Sequence, residues 1–134
     1  MNYVTILIAA VVQMAIGFAW YSPMFFGKEW MKLMGYSEKS MEEAKKKMGQ
    51  IYGVAFVGAL VMAYVLAQLI DMTGAATVQE GMQLAFWAWF GFIAPVMLTD
   101  VLFGGKPMKL YFINVTYQLA GMLAMGALLA AWAQ

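Results

Sequence analysis

IYGVAFVGALVMAYVLAQLI, residues 51–70, carries no charged side chain, and Gln68 is its one amide. As an α-helix it would be about 30 Å long, which matches the hydrocarbon thickness of a bilayer. A barrel strand would alternate apolar and polar residues, and this stretch does not. Three other stretches read the same way. Residues 3–22 are broken by Thr5 and Gln13 before ending in Trp20-Tyr21-Ser22. Residues 80–103 hold Glu80 at the start and Asp100 near the end, and residues 110–133 hold no charge. Backbone groups in lipid must be satisfied within their own segment, so each stretch is expected to be a helix. The expected fold is all-α, a bundle of four transmembrane helices in one domain over 1–134.

Composition excludes more than it selects. The chain has 134 residues, 64% hydrophobic and 11% charged, against about half apolar and about a quarter charged in soluble domains. Ten of the fifteen charges fall between Lys28 and Lys47. A net charge of +1 gives no reason to expect nucleic acid. Every basic residue is Lys, and there is no Cys or His. The chain therefore lacks the bidentate anion-binding side chain, the thiolate and the usual proton shuttle. No metal, no cofactor and no enzymatic activity are expected. Asp, Tyr and Lys can do acid–base work, but no constellation of them converges in the sequence. The N-terminus has no basic region and no small-x-small cleavage site, so the first apolar stretch is read as a retained span.

Punctuation separates the helices. Asp71 and Gly74 are expected to close the second span, Gly74 as a C′ residue. Thr77-Val78-Gln79-Glu80 has the form of a capping box. Gly104-Gly105-Lys106-Pro107 makes the turn before the last span. The segment 23–50 is expected to be a helical cytoplasmic loop. Ser22-Pro23 would start a short amphipathic interfacial helix, with Phe25, Phe26, Trp30, Leu33 and Met34 in the interface and Gly35 as its end. A second helix would begin near Ser37 or Ser40, carry the i,i+4 pairs Glu42/Lys46 and Glu43/Lys47, and could run straight into the second span. All eight Lys lie in the two loops on one side of the four spans. The positive-inside rule puts those loops in the cytoplasm and both termini outside.

Asp100 is the one ionisable side chain well inside an apolar stretch, and such groups are functional candidates by default. It lies about 5 Å from the helix end, within reach of Lys28, Lys106 or Lys109 as salt-bridge partners. With Asn114 and Gln118 it makes a candidate polar or ion site. Gln13, Gln68, Gln83, Thr99 and Thr116 are the other polar residues in spans, read as packing contacts. Small residues at 55, 59, 63 and 67, and at 120, 124, 127 and 131, form stripes that would let helices approach closely. Pro95, one turn after Gly91, is expected to kink the third span. Tyr3, Trp20, Tyr21, Trp87, Trp89 and Trp132 read as interfacial aromatics. Residues 25–33 (FFGKEWMKL) and 102–110 (LFGGKPMKL) agree at five of nine positions. The agreement is compatible with duplication of a helical hairpin or with convergent helix exits.

The run Trp20-Tyr21-Ser22-Pro23-Met24-Phe25-Phe26-Gly27-Lys28-Glu29-Trp30-Met31 resembles the bacterial domain of unknown function 1761 family. The stretch 102–107, followed by Asn114 and Tyr117, is similar to it as well. The resemblance covers nearly the whole chain and implies a four-helix membrane protein of this size, with no known activity. Two functions remain open on the sequence. One is a homo-oligomeric transporter or channel-like protein, since four helices rarely enclose a pore alone. The other is a non-transporting accessory or scaffold subunit of a membrane complex. The expected partners are membrane lipids, further copies of the chain and an unidentified membrane protein.

Overall fold

A computed structural model describes residues 2–132. Helix α1 (Tyr3–Trp20) leads through a corner to α2 (Gly27–Met34) and α3 (Glu38–Lys46). Next come α4 (Met48–Thr73), α5 (Val78–Ala88), a π-helical turn (Trp89–Ile93), α6 (Ala94–Phe103) and α7 (Met108–Trp132). The chain is 85% helix, with no strand among the described residues. Four helices are long and apolar enough to cross a membrane: α1, α4, the run α5–α6 and α7.

Local chemistry sets most boundaries. Asn2 Oδ1 accepts from the amides of Val4 and Thr5 and starts α1. Gly35 and Gly74 end α2 and α4 with φ of 75° and 73°, the left-handed conformation that glycine adopts without penalty. The Thr77 hydroxyl accepts from the Glu80 amide at 3.1 Å and donates to the Glu80 carboxylate at 3.0 Å. Ser37 caps α3 through the Ser40 amide.

Two boundaries depart from expectation. Ser22-Pro23 does not cap α2, because the Ser22 hydroxyl turns back to the Ala19 carbonyl at 2.8 Å. Residues 22–26 instead form a corner in which the Ser22 carbonyl accepts from the amides of Phe25 and Gly27, and α2 begins at Gly27. The charged helix does not flow into α4 either; Lys47, at φ −102° and ψ 7°, separates them. At Pro95 the chain forms the π-helical turn Trp89–Ile93 just upstream. Proline offers no N–H, and its ring crowds the carbonyl four residues back. A wider turn relieves that crowding.

The last helix is the hub. Its buried residues, among them Leu110, Ile113, Val115, Gly121, Met125, Gly126 and Leu129, cover most of its circumference and leave the face of Phe112 and Thr116 exposed. It is enclosed by α5 on one side and by α1 and α4 on the other. The principal core joins Ile6 and Ala9 of α1, Ala63, Leu66, Ala67 and Ile70 of α4, Ala85 of α5, and Met122, Met125, Leu129 and Ala130 of α7. Every one of these positions lies toward the end of the bundle remote from the lysines. Gly81 and Gly126 bring α5 and α7 together so closely that a Cβ on either would strike the other's carbonyl.

The α4 stripe is buried at Ala59, Ala63 and Ala67, the last two in this core, but not at Ala55, which is exposed. On α7 the expected line 120/124/127/131 is half-buried or exposed. Its buried line runs instead through Gly121, Met125 and Leu129 on one track and Gly126 and Ala130 on another. The two halves do not pack alike: α1 lies closely along α7, whereas α4 barely meets α5.

Candidate functional site

Toward the lysine end, the dry core gives way to a polar and aromatic seam between α1 and α7. Gln13, Gly17, Trp20 and Tyr21 share one face of α1, spaced i, i+4, i+7, i+8. Asn114, Tyr117, Gln118 and Gly121 share one face of α7 at i, i+3, i+4, i+7. The helices run antiparallel, so the two faces meet rung by rung. Deepest in the bundle, Gln13 Nε2 donates to Gln118 Oε1 at 3.3 Å. On the next rung, the Tyr117 hydroxyl donates to the Gln13 backbone carbonyl at 3.1 Å, and the phenol occupies the space beside Gly17. Nearest the lysine end, the Tyr21 hydroxyl donates to Asn114 Oδ1 at 2.6 Å, and Trp20 Nε1 donates to the Ile113 carbonyl at 3.0 Å.

Gln13 is the most enclosed amide, only 3% exposed. Its Oε1 has no hydrogen-bond partner. That oxygen lies against the bare backbone of Gly121, where a Cβ would collide with it. A second face of α7 is held from the other side. Trp89 Nε1 donates to the Val115 carbonyl at 2.9 Å, and the Tyr111 hydroxyl donates to the Ala94 carbonyl at 3.0 Å. Trp89, expected as an interfacial aromatic, is thus turned into the bundle, whereas Trp87 is exposed.

The motif residues build the corner below this seam. Phe26 packs on the Trp20 ring at 5.2 Å, and Gly27 fits beneath the Tyr21 carbonyl, where no side chain has room. Tyr117, Tyr21, Trp30 and Tyr36 then stand in edge-on succession at 5.4, 5.5 and 5.4 Å, a favourable geometry for aromatic pairs. The Lys109–Glu29 ion pair fastens α2 to the start of α7. The corner folds α2 back under the bundle and fixes its angle.

The residues singled out from sequence divide into two groups. Asn114 and Gln118 belong to the seam and are joined there by Gln13. Asp100 does not. It is exposed on the outer side of α6, in a shallow concavity with Pro95, Val96, Met97, Thr99 and Phe103. Its carbonyl accepts from the Gly104 amide, which puts it one turn from the end of α6. The grip of Trp20 and Tyr21 on α7 lies farther inside the bundle. Among the described residues Asp100 makes no ion pair, and Lys109 pairs with Glu29 instead. Lys28 and Lys106 are exposed and unpaired among the described residues. Gln68 bonds within its own helix to Tyr64; Thr99 and Thr116 bond to carbonyls one turn back; Gln83 is exposed. Tyr117, Gly121, Gly17 and Trp89 belong to the site without having been singled out as site residues from the sequence. The shared helical spacing of 13/17/20/21 and 114/117/118/121 is the signal that could have found the first three; it does not mark Trp89.

The seam is a set of neutral donors and acceptors. It can align two helices and hold uncharged polar groups, and it contains no carboxylate or amine for proton transfer. The class defined by these features is an all-helical protein with four potential spans, latched by a hydrogen-bonded seam and an aromatic corner. Residues 4–130 match the model of the family described as Protein of unknown function (DUF1761), and the chain belongs to that family. No curated protein and no solved structure matches the chain.

Proposed function

We propose that this chain is a non-enzymatic, non-transporting accessory subunit of the bacterial inner membrane, docking a partner through its lysine-bearing face. In this reading the four helices form a single domain, α2 lies in the interface, both termini are outside and α3 stands in the cytoplasm. One observation carries the reading: α3 bears six charges, has no buried residue and makes its main helix contact with α4. Helix Glu38–Lys46 is thus held out from the bundle, with its solvated faces free. The seam supports the same reading, because its polar groups are engaged in joining α1 to α7. Photo-crosslinkers at Glu42 and Lys45 in native membranes should capture one heterologous membrane protein. Recovery of only the free chain, at expression levels matching the native ones, would count against docking.

A second reading, a homo-oligomeric transport path, has its own support. The α5–α6 run is the least buried of the four long helices, and it turns Gln83 and Asp100 outward. Copies meeting along that run would bring these groups together between subunits. Solute flux into proteoliposomes that falls on Asp100→Asn and Gln83→Leu would favour this reading over the first.

A further inference from the structure

We infer that the rim where α2 meets the α6–α7 turn binds the headgroup of an anionic phospholipid. The inference rests on the proposed insertion in a membrane but does not depend on either functional reading. The Lys109–Glu29 ion pair sets α2 beside the start of α7, so the lysines of both elements share one rim. Lys28 and Lys32 on α2 and Lys106 in the turn are all exposed, with no ion pair among the described residues. With Lys109 and Glu29 engaged by each other, three exposed lysines are left against the one carboxylate of Asp100. Asp100 on the outer side of α6 repels an anion, which leaves the α2 side of the turn as the favourable one.

The apolar side chains beside these lysines identify the kind of partner. Met24 and Phe25 project from the corner, and Leu102 and Phe103 from the end of α6; Met24 is 88% and Phe103 90% exposed. Side chains of this size standing beside ammonium groups fit a boundary where acyl chains meet headgroups. A soluble anion or an acidic peptide would satisfy the lysines and leave these groups in water. The charged helix α3 offers a contrast. Its four lysines, counting Lys47, are set against Glu38, Glu42 and Glu43, and it has no exposed aromatic. It lacks both halves of the pattern.

The test uses the full chain in nanodiscs of equal phosphatidylglycerol and phosphatidylcholine, ejected for native mass spectrometry. The first retained lipid should be phosphatidylglycerol. A lysine near an anionic surface contributes about fivefold in binding, so K28Q/K106Q should lower the phosphatidylglycerol-to-phosphatidylcholine adduct ratio at least about fivefold. K28R/K106R should preserve the ratio, which separates a charge effect from misfolding, and K45Q/K46Q should leave it unchanged. An unaltered ratio in K28Q/K106Q, or an equal fall in K45Q/K46Q, overturns the site. Displacement of the lipid by excess inorganic phosphate would assign the rim to a free anion and also overturn it. Flotation of the same variants with liposomes checks membrane insertion separately.

Discussion

Gln13 and Gly121 illustrate how a single amide shapes a helix pair. The amide donates to Gln118, its oxygen has no hydrogen-bond partner, and Gly121 provides the space for that oxygen. Cα–H contacts to carbonyl oxygens are weak but recur where helices approach this closely. A methyl group at 121 would force the amide out, and overpacking of that kind costs about 1–3 kcal/mol. Gly121→Ala should therefore lower the unfolding free energy in a mixed-micelle denaturant titration by that amount. Gln13→Ala should be milder, because it removes one interhelical bond worth about 0.6 kcal/mol together with the unpaired acceptor, at the expense of some packing. The double variant should be more stable than the sum of the singles implies, since the clash vanishes with the amide. Additive losses in this cycle would mean that the two residues do not meet. Trp20 works differently. Its N–H adds a donor to a carbonyl already inside a helix, so Trp20→Phe should cost no more than about 1.7 kcal/mol.

Among the elements, α2 depends most on its neighbours. Eight residues are too few to be helical alone in water, so its order must come from the corner and from the Lys109–Glu29 tie. Gly27 is the tightest point of that corner, with the carbonyls of Tyr21 and Ser22 against it. Gly27→Ala should push α2 away from Tyr21 while leaving α1 intact. In hydrogen exchange the amides of α2 should open at least about tenfold faster, a loss of about 1.4 kcal/mol of local stability, with α1 protection unchanged. Equal protection in variant and wild type would show that α2 is held by something other than the corner. The elements also show where the sequence could be read. Long uncharged runs, Gly74 as a terminator and Thr77 as a cap were legible, because each depends on local chemistry, while Ser37 and Ser40 stood as alternative starts of α3. The start of α2 and the π-helical turn were not. The first depends on a backward bond from Ser22 to Ala19, and the second is one of several ways a helix can relieve the crowding at Pro95.

On the scale of the whole molecule, the bundle is layered by chemistry along its long axis: alanine, leucine and methionine at one end, amides and aromatics nearer the other, and lysines at the rim. Half of the candidate site could be read from this order. Asn114 and Gln118 share a helix face, but their partners lie about a hundred residues away in the chain. Asp100 drew attention by its charge alone, and charge does not tell whether a side chain points inward. The same layering carries a prediction about sidedness. All eight Lys lie at one end, and no Lys lies in the segment 71–81 at the other. Basic loops stay on the side from which a chain is inserted, so α3 should be cytoplasmic and the α4–α5 connection external. The natural chain has no Cys, so single-cysteine variants report without background. Met72 and Lys39 are exposed on opposite ends of the bundle. On intact cells a membrane-impermeant maleimide should label Met72→Cys and spare Lys39→Cys, and both should label after lysis. Labelling of Lys39→Cys on intact cells would invert the orientation, and with it the side on which a partner of α3 must be sought.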